Sequence, residues 1–262
     1  PASSVFARRS DALPMSRVVL ITGASRGIGA ATARLAAERG DQVAVNYTRN
    51  TEAAQAVVTE CVALGAQAIA VQADVAGEAA VIEMFDTVTD ALGPVDVLVN
   101  NAGILHTQMR FDEMSVDRWR ELLDVNVIGA FLCAREAVRR MSTRHGGSGG
   151  AIVNVSSAAS SLGSPGEYVD YAASKAAIDT LTIGLGKEVA AEGVRVNAVR
   201  PGVIHTDIHA SGGEPGRVER VAPSVPMQRG GDPIEVARTI LWLASDEASY
   251  ITATIVSCSG GR

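Results

Sequence analysis

The sequence predicts an α/β domain built on one doubly wound parallel sheet with helices on both faces, and three observations carry that expectation. Short β-branched runs alternate along the chain with longer segments whose apolar residues recur at helical spacing, the pattern of successive βα units. Hydrophobic residues make up 47% of the 262 but aromatics only 4%, so the core is mainly Ala, Val, Ile and Leu, as suits strands buried on both faces. The first β-branched run ends in a glycine-rich turn that opens directly into a helical stretch. No internal repeat or second boundary interrupts the alternation, so residues 15–262 read as one domain.

Composition also limits function. A formal net charge of −6 with no basic run argues against a nucleic-acid or anionic-membrane partner. No apolar run reaches the roughly 18 residues of a membrane span. Residues 1–14 carry Arg8-Arg9 without an apolar h-region, so they read as a loose extension or expression remnant, and a cytoplasmic location follows by default. Cys61, Cys133 and Cys258 are odd in number and scattered, which gives no disulfide framework or Cys-x-x-Cys pair. His106, His145, His205 and His209 lack ligand spacing, and no metal site is expected.

In order, Val18-Val19-Leu20-Ile21 is a buried strand that runs into Thr22-Gly23-Ala24-Ser25-Arg26-Gly27-Ile28-Gly29, with a helix from Ala30 to Arg39. Glycines let backbone approach a pyrophosphate, and a helix N-terminus offers free N–H groups at its positive end. A merely tight βα turn is the alternative. The second strand, Gln42 to Tyr47, ends in Asn46-Tyr47-Thr48-Arg49, where a ribose-binding acid would be expected and none stands. Arg26 and Arg49 could instead bind a 2′-phosphate by charge-assisted hydrogen bonds, so NADP(H) is expected over NAD(H), unless both are ordinary surface arginines.

A helix (Thr51 to Leu64), a strand (Ala66 to Ala73), Asp74-Val75, a helix (Glu78 to Leu92) and a strand (Val95 to Val99) follow, then the polar turn Asn100-Asn101-Ala102-Gly103. Asp74 reads as a ligand contact or an N-cap for the helix after it. A long helix is expected from Ser115 to Met141 with Asn126 in its apolar middle; a buried amide must be bonded, so Asn126 is a structural bridge or part of a site. The tract from His145 to Gly150 reads as a flexible loop. Strand Ala151 to Val155 delivers Ser156-Ser157 to the carboxyl end of the sheet, where ligands bind.

The helix from Val169 to Glu192 begins with Tyr171-Ala-Ala-Ser-Lys175. Residues i and i+4 share a helix face, so ammonium and phenol can project into one space. A free phenol titrates near pH 10, and an adjacent cation lowers that value; bringing it near 7 takes about 4 kcal/mol of differential stabilisation. A half-buried Tyr beside a solvated Lys is the plainer alternative. Gly184 and Gly186 each cost this helix about 1 kcal/mol relative to Ala, which close helix packing would explain. Strand Val194 to Val199 leads to Arg200-Pro201-Gly202-Val203-Ile204-His205-Thr206, and residues 202–226, rich in Gly, Pro and Ser, fit a mobile substrate lid. A helix (Pro233 to Ala244) and a strand (Ile251 to Cys258) close the chain.

Together these motifs, from Arg17 to Arg262, resemble the short-chain dehydrogenase/reductase family in its classical branch: Thr22-Gly-x-x-x-Gly-x-Gly29, Asn100-Asn-Ala-Gly103, Asp124-Val-Asn-Val127, the serine ahead of Tyr171-x-x-x-Lys175, and Pro201-Gly202. The resemblance implies a single Rossmann-type, seven-stranded sheet. It implies that Tyr171 exchanges a proton with the substrate oxygen, that Ser157 hydrogen-bonds that oxygen, that Lys175 holds the cofactor ribose and lowers the tyrosine pKa, and that Asn126 anchors a relay water. Ser156 stays an alternative to Ser157, because the loop to Tyr171 is one residue longer than the family's. For the cofactor the resemblance implies the loop residues Gly23, Ser25, Arg26, Gly27, Ile28 and Gly29, then Asn46 and Arg49, Asp74 at the adenine with Val75, and Asn101, Ala102 and Gly103 beneath the cofactor. Tyr171, Lys175, Pro201, Gly202, Ile204 and Thr206 complete that set. Ala253 departs from the family, which has Gly there.

The reaction so implied interconverts a secondary alcohol and a ketone with NADP(H). Narrower alternatives are a 3-oxoacyl-thioester reductase or a sugar or polyol dehydrogenase, and the alternative class is a catalytically silent NADP-binding regulator. Glu167, Asp170, His205 and His209 lean toward a hydroxylated substrate if they line the rim, and are otherwise solvated loop residues. A homotetramer, or at least a dimer, is expected through the helices Ser115 to Met141 and Val169 to Glu192. On the second, Ile178, Leu181, Leu185 and Val189 form one stripe, while Ala177, Gly184 and Ala191 offer a small-residue surface.

Overall fold

The structure, a computed structural model, describes residues 16–262; the extension expected over residues 1–14 lies outside the described residues. Seven parallel strands form one sheet in the order β3-β2-β1-β4-β5-β6-β7. They are β1 (Val18–Ile21), β2 (Gln42–Tyr47), β3 (Ala68–Gln72), β4 (Val97–Asn100), β5 (Gly150–Val155), β6 (Val194–Pro201) and β7 (Ile255–Cys258). The helices are α1 (Gly27–Glu38), α2 (Thr51–Ala63), α3 (Glu78–Leu92), α4 (Val116–Leu123), α5 (Ala130–Met141), α6 (Ala159–Leu162), α7 (Val169–Glu188), α8 (Ile208–Ser211), α9 (Arg217–Val221) and α10 (Pro233–Leu243).

Side chains alternate across each strand, so the sheet carries a core on each face. Val19, Ile21, Val43, Val45 and Val99 pack with α1, α2 and α10, while Val18, Leu20, Ala44 and Leu98 pack with α3, α5 and α7. Strand order reverses between β1 and β4, and a crevice opens at the carboxyl ends of these strands. Polar side chains tie that end together. Asn100 donates to Asn154 (3.1 Å) and to the Ala130 carbonyl (3.0 Å), and Asn154 donates to the Thr182 hydroxyl (2.9 Å).

Two helices depart from expectation. The long helix expected from Ser115 to Met141 is interrupted: Ser115 caps α4, and Asp124–Gly129 winds as a π-helix before α5 begins. Wide turns of this kind favour functional sites, and this one holds Asn126. Helix α7 stops at Glu188, and Ala190–Glu192 turns as a separate 3-10 segment that ends on left-handed Gly193. Gly186 does mark a close approach, since a Cβ there would fall 2.8 Å from Ala253 Cα, but Gly184 has open space beside it.

Several strands are shorter than expected. β7 starts at Ile255 because Ala253, at φ +57, turns the chain before the ladder can begin. Among the described residues, no helix is long and apolar enough to cross a membrane.

Candidate active site

A cleft of about 940 Å³ runs along the carboxyl ends of the strands. At one end lies the glycine turn. Gly23 and Gly27 hold φ of +61 and +57, and a Cβ on Gly23 would fall 2.9 Å from Ala102 Cα, so both positions need glycine. The loop after β4 is fastened against this turn. The Asn101 and Ala102 N–H groups both donate to the Thr22 hydroxyl at 3.0 Å, and the Asn101 amide donates to the carbonyls of Thr22 (2.8 Å) and Gly23 (3.0 Å).

Helix α1 begins here with no side-chain cap and no acid in its first turn, so its N-terminal N–H groups are free to meet an anion. Arg26 and Arg49 are exposed at the same end, and neither is paired with an acid among the described residues. The structure therefore fits a phosphate-bearing dinucleotide in three ways: a cradle that a Cβ would fill, an uncapped helix start and two unneutralised guanidinium groups.

Most expected cofactor residues line the cleft: Gly23, Ser25, Arg26, Gly27, Ile28, Arg49, Asp74, Val75, Asn101, Ala102, Gly103, Pro201, Gly202, Ile204 and Thr206, with Tyr171 and Lys175. Two do not. Asn46 is buried beneath the turn, where its side-chain Oδ1 accepts from Gly23 N–H (3.1 Å) and its side-chain amide donates to the carbonyls of Ala73 (3.1 Å) and Val71 (3.3 Å). Gly29 lies under the loop, and a Cβ there would fall 2.6 Å from the Asn101 amide nitrogen. Both shape the cleft from below. Asp74 does not cap α3, whose N-cap is Gly77; its carboxylate accepts from Ala76 N–H at 3.0 Å and stays exposed.

At the other end Tyr171, Ser157 and Lys175 line the cleft, while Asn126 is buried behind the Ile104 segment and does not reach the lining. The Ser157 hydroxyl accepts from Ala159 N–H at 3.1 Å, whereas the Ser156 hydroxyl is buried and donates to the Lys175 carbonyl at 3.2 Å. The loop between serine and tyrosine forms α6 and a tight turn with positive φ at Gly163, Ser164 and Gly166. Lys175 Nζ donates to the Val155 carbonyl at 2.8 Å and lies 5.7 Å from the centre of the Tyr171 ring. Asn126 grips the Ile104 peptide from both sides, accepting from its N–H at 2.7 Å and donating to its carbonyl at 3.0 Å, and also donates to Ser174 at 3.2 Å. A Cβ on Gly103 would sit 3.4 Å from both Asn126 Oδ1 and Lys175 Nζ.

Burial governs the titration of this group. It pushes the Tyr171 phenol up to about 12, an effect that the neighbouring Ser157 opposes, and pushes Lys175 down to about 8, opposed by the charge of Asp179. The expected lowering of the phenol by Lys175 is not seen in the cleft as it stands, where the ammonium is turned toward the Val155 carbonyl and burial dominates.

The rim differs from expectation. Asp170 is buried against Arg118, and His205 is outside the lining. Glu167 and His209 do line the cleft. His209 Nε2 donates to the Ile204 carbonyl at 2.8 Å, and burial lowers its pKa. Sequence reasoning missed Thr48, Asn50, Leu105, Tyr168 and Arg217, all in the lining. Arg217 from α9 bonds Glu167 at 2.7 Å and 3.0 Å and lies 4.9 Å over the Tyr168 ring, which meets Tyr171 edge-on at 5.7 Å. Thr48, Asn50, Leu105 and Tyr168 stand in loops or at helix caps without a motif, and Arg217 opens the short α9 with no sequence signal to single it out from neighbouring charged residues.

A family profile described as enoyl-(acyl carrier protein) reductase matches residues 23–262. The uncharacterized oxidoreductase YgfF of Escherichia coli is 57% identical over 245 residues, covering 94% of this chain and 99% of its own. A 3-oxoacyl-(acyl-carrier-protein) reductase of Synechocystis is 42% identical, covering 94% of this chain and 96% of its own. A short-chain type dehydrogenase/reductase of known structure from Mycobacterium marinum superposes with a TM-score of 0.85 at 35% identity, over 94% of each chain. The protein is an oxidoreductase of the nicotinamide-dependent, doubly wound class. Within that class, the chain belongs to the short-chain dehydrogenase/reductase family.

Proposed function

We propose that the enzyme uses NADP(H) to interconvert a secondary alcohol and a ketone, with Tyr171 as the proton carrier. The observation that carries this reading is that Ser157, Tyr171 and Lys175 line one cleft at the carboxyl end of the sheet, with Lys175 one turn along α7 from Tyr171. A bound nicotinamide supplies or accepts the hydride. In the reductive direction the Ser157 hydroxyl holds the carbonyl oxygen while the Tyr171 hydroxyl gives it a proton. The ammonium of Lys175 offsets the phenolate left behind, and Asn126, which grips the Ile104 peptide, would anchor the relay water. The glycine turn, the start of α1, Arg26 and Arg49 would hold the phosphates, and residues 202–226, with α8 and α9, would form the substrate lid.

Two substrate classes have support. The name of the Synechocystis relative favours a 3-oxoacyl thioester; the Glu167–Arg217 pair and His209 in the cleft wall favour a hydroxylated small molecule. Assay of NADPH oxidation against acetoacetyl thioesters, ethyl acetoacetate and ketoses, with the reverse reaction on polyols, separates them. Failure to turn over any carbonyl or alcohol while binding NADPH would favour a regulatory role. A homodimer or homotetramer is part of this reading, because Leu123, Ile128, Phe131 and Ile183 leave apolar surface exposed on α4, the π-helical stretch, α5 and α7.

A further inference from the structure

We propose that the buried Arg118–Asp170 ion pair is a positioning device that fixes the first turn of α7, and with it Tyr171, against α4 and the loop after β4; this rests on the reading of Tyr171 as proton carrier. The pair is a fork-on-fork contact. Arg118 Nε donates to Asp170 Oδ2 at 2.7 Å and Nη2 donates to Oδ1 at 3.2 Å. Asp170 Oδ1 also accepts the Tyr171 N–H at 2.9 Å, and Arg118 Nη1 donates to the Thr107 carbonyl at 2.6 Å. One guanidinium thus links α4, the peptide of Tyr171 and the loop whose Ile104 is gripped by Asn126.

Neither residue lines the cleft, so both act through others. The side chains are only 10% and 5% exposed, and two charges so placed are costly to desolvate. An apolar pair of similar volume would hold α4 to α7 at least as firmly. It would leave the axial rotation of α7 free to settle by packing alone, whereas planar forks accept one rotation. The arrangement therefore suits control of where the phenol points.

The test compares Arg118→Met, Asp170→Asn, Arg118→Lys and the apolar double variant Arg118→Met/Asp170→Leu with the parent enzyme. It uses NADPH with the panel carbonyl that is turned over, NADPH binding by fluorescence titration, thermal unfolding, and hydrogen exchange at the Tyr171 amide. The double variant is expected to unfold near the parent temperature and bind NADPH within about threefold. Its kcat should fall by roughly ten- to hundredfold, as misplacement of a reacting group by about 1 Å does. Its Tyr171 amide should exchange at least about tenfold faster, a loss that is read without any substrate. Arg118→Lys keeps charge without the fork and should recover kcat only in part. A stable double variant with parental kcat and parental Tyr171 exchange would overturn the proposal. If Tyr171→Phe keeps its activity, the reading of the proton carrier fails instead, whatever the ion-pair variants do.

Discussion

Gly186 and Ala253 meet backbone to backbone: a Cβ on Gly186 would fall 2.8 Å from both the Cα and the N of Ala253. The contact requires Gly186 to be glycine and leaves Ala253 at φ +57, a left-handed conformation that costs a Cβ-bearing residue about 1 to 2 kcal/mol. Ala253 is held there by its N–H donating to the Val196 carbonyl at 2.7 Å. Part of the relief from Ala253→Gly would be offset by the greater freedom of glycine in the unfolded chain. The substitution should raise stability by about 0.5 to 1 kcal/mol, read as a higher urea midpoint at unchanged slope; a lower midpoint would show that the turn is unstrained.

Tyr171→Phe removes one oxygen from a ring that the fold otherwise retains. Turnover should fall by at least about a hundredfold, the scale of a lost general acid, with NADPH affinity nearly unchanged. Ser157→Ala should do comparable damage and Ser156→Ala little, because the Ser156 hydroxyl is spent on the Lys175 carbonyl. The reverse order of the two serine variants would move the site by one residue.

Lys175 makes stability depend on pH. Its pKa, pushed down to about 8 by burial, means that between 8 and the free value of 10.5 the unfolded chain binds more protons than the folded one. Stability from this site therefore rises as pH climbs through that interval, by about 1 kcal/mol from pH 8 to 9. Above 9 the buried thiols of Cys61 and Cys133, pushed up to about 11 and about 12, act in the opposite sense, and Tyr171 joins them above 10. Denaturant midpoints of the cofactor-free protein at pH 8 and 9, set beside those of Lys175→Met, isolate the lysine: the rise contributed by this site should be missing in the variant.

For the nucleotide, NADPH should bind more tightly than NADH. Arg26→Ala and Arg49→Ala should each narrow the gap by about tenfold, the loss of one charge-assisted contact. Calorimetric titration of both nucleotides checks this, and equal affinities in the parent would refute it.

Gly184→Arg tests assembly. A Cβ at that position meets nothing within 4 Å in the subunit, and arginine favours a helix interior over glycine by about 0.7 kcal/mol, so the monomer fold should survive. At a twofold contact the charge would face its own copy. Sedimentation should show the parent as a dimer or larger and the variant as a smaller species; a monomeric parent at micromolar concentration rules the contact out.

Much of this fold was legible because strand patterning and glycine turns are local. Val18–Ile21 could only be a buried strand, and Gly23 and Gly27 announced a tight glycine turn able to approach a phosphate. Tyr171 and Lys175 were legible for the same reason, being one helical turn apart. Asn46 was misread because its place near the end of β2 does not reveal direction: its side chain folds back to bond Gly23 N–H. Asp170 looked like rim, since nothing local signals that Arg118, 52 residues earlier, lies against it. The interruption at Asp124–Gly129 was invisible for a different reason, because the apolar spacing of its residues fits an α-helix and only the hydrogen-bond ladder distinguishes the two.

That interruption amounts to a change of phase. A one-residue widening of a helical ladder turns everything beyond it by about 100° relative to an unbroken α-helix. Arg118 stands before the widening and faces α7; Cys133 and Ala137 stand after it and face the sheet. Deleting any one residue between 124 and 129 would restore an even ladder and rotate one set away from its partners. Site geometry here depends on a count of residues as much as on their identity, so a homologous or redesigned chain that keeps every named side chain but is one residue shorter in this stretch would assemble a different cleft.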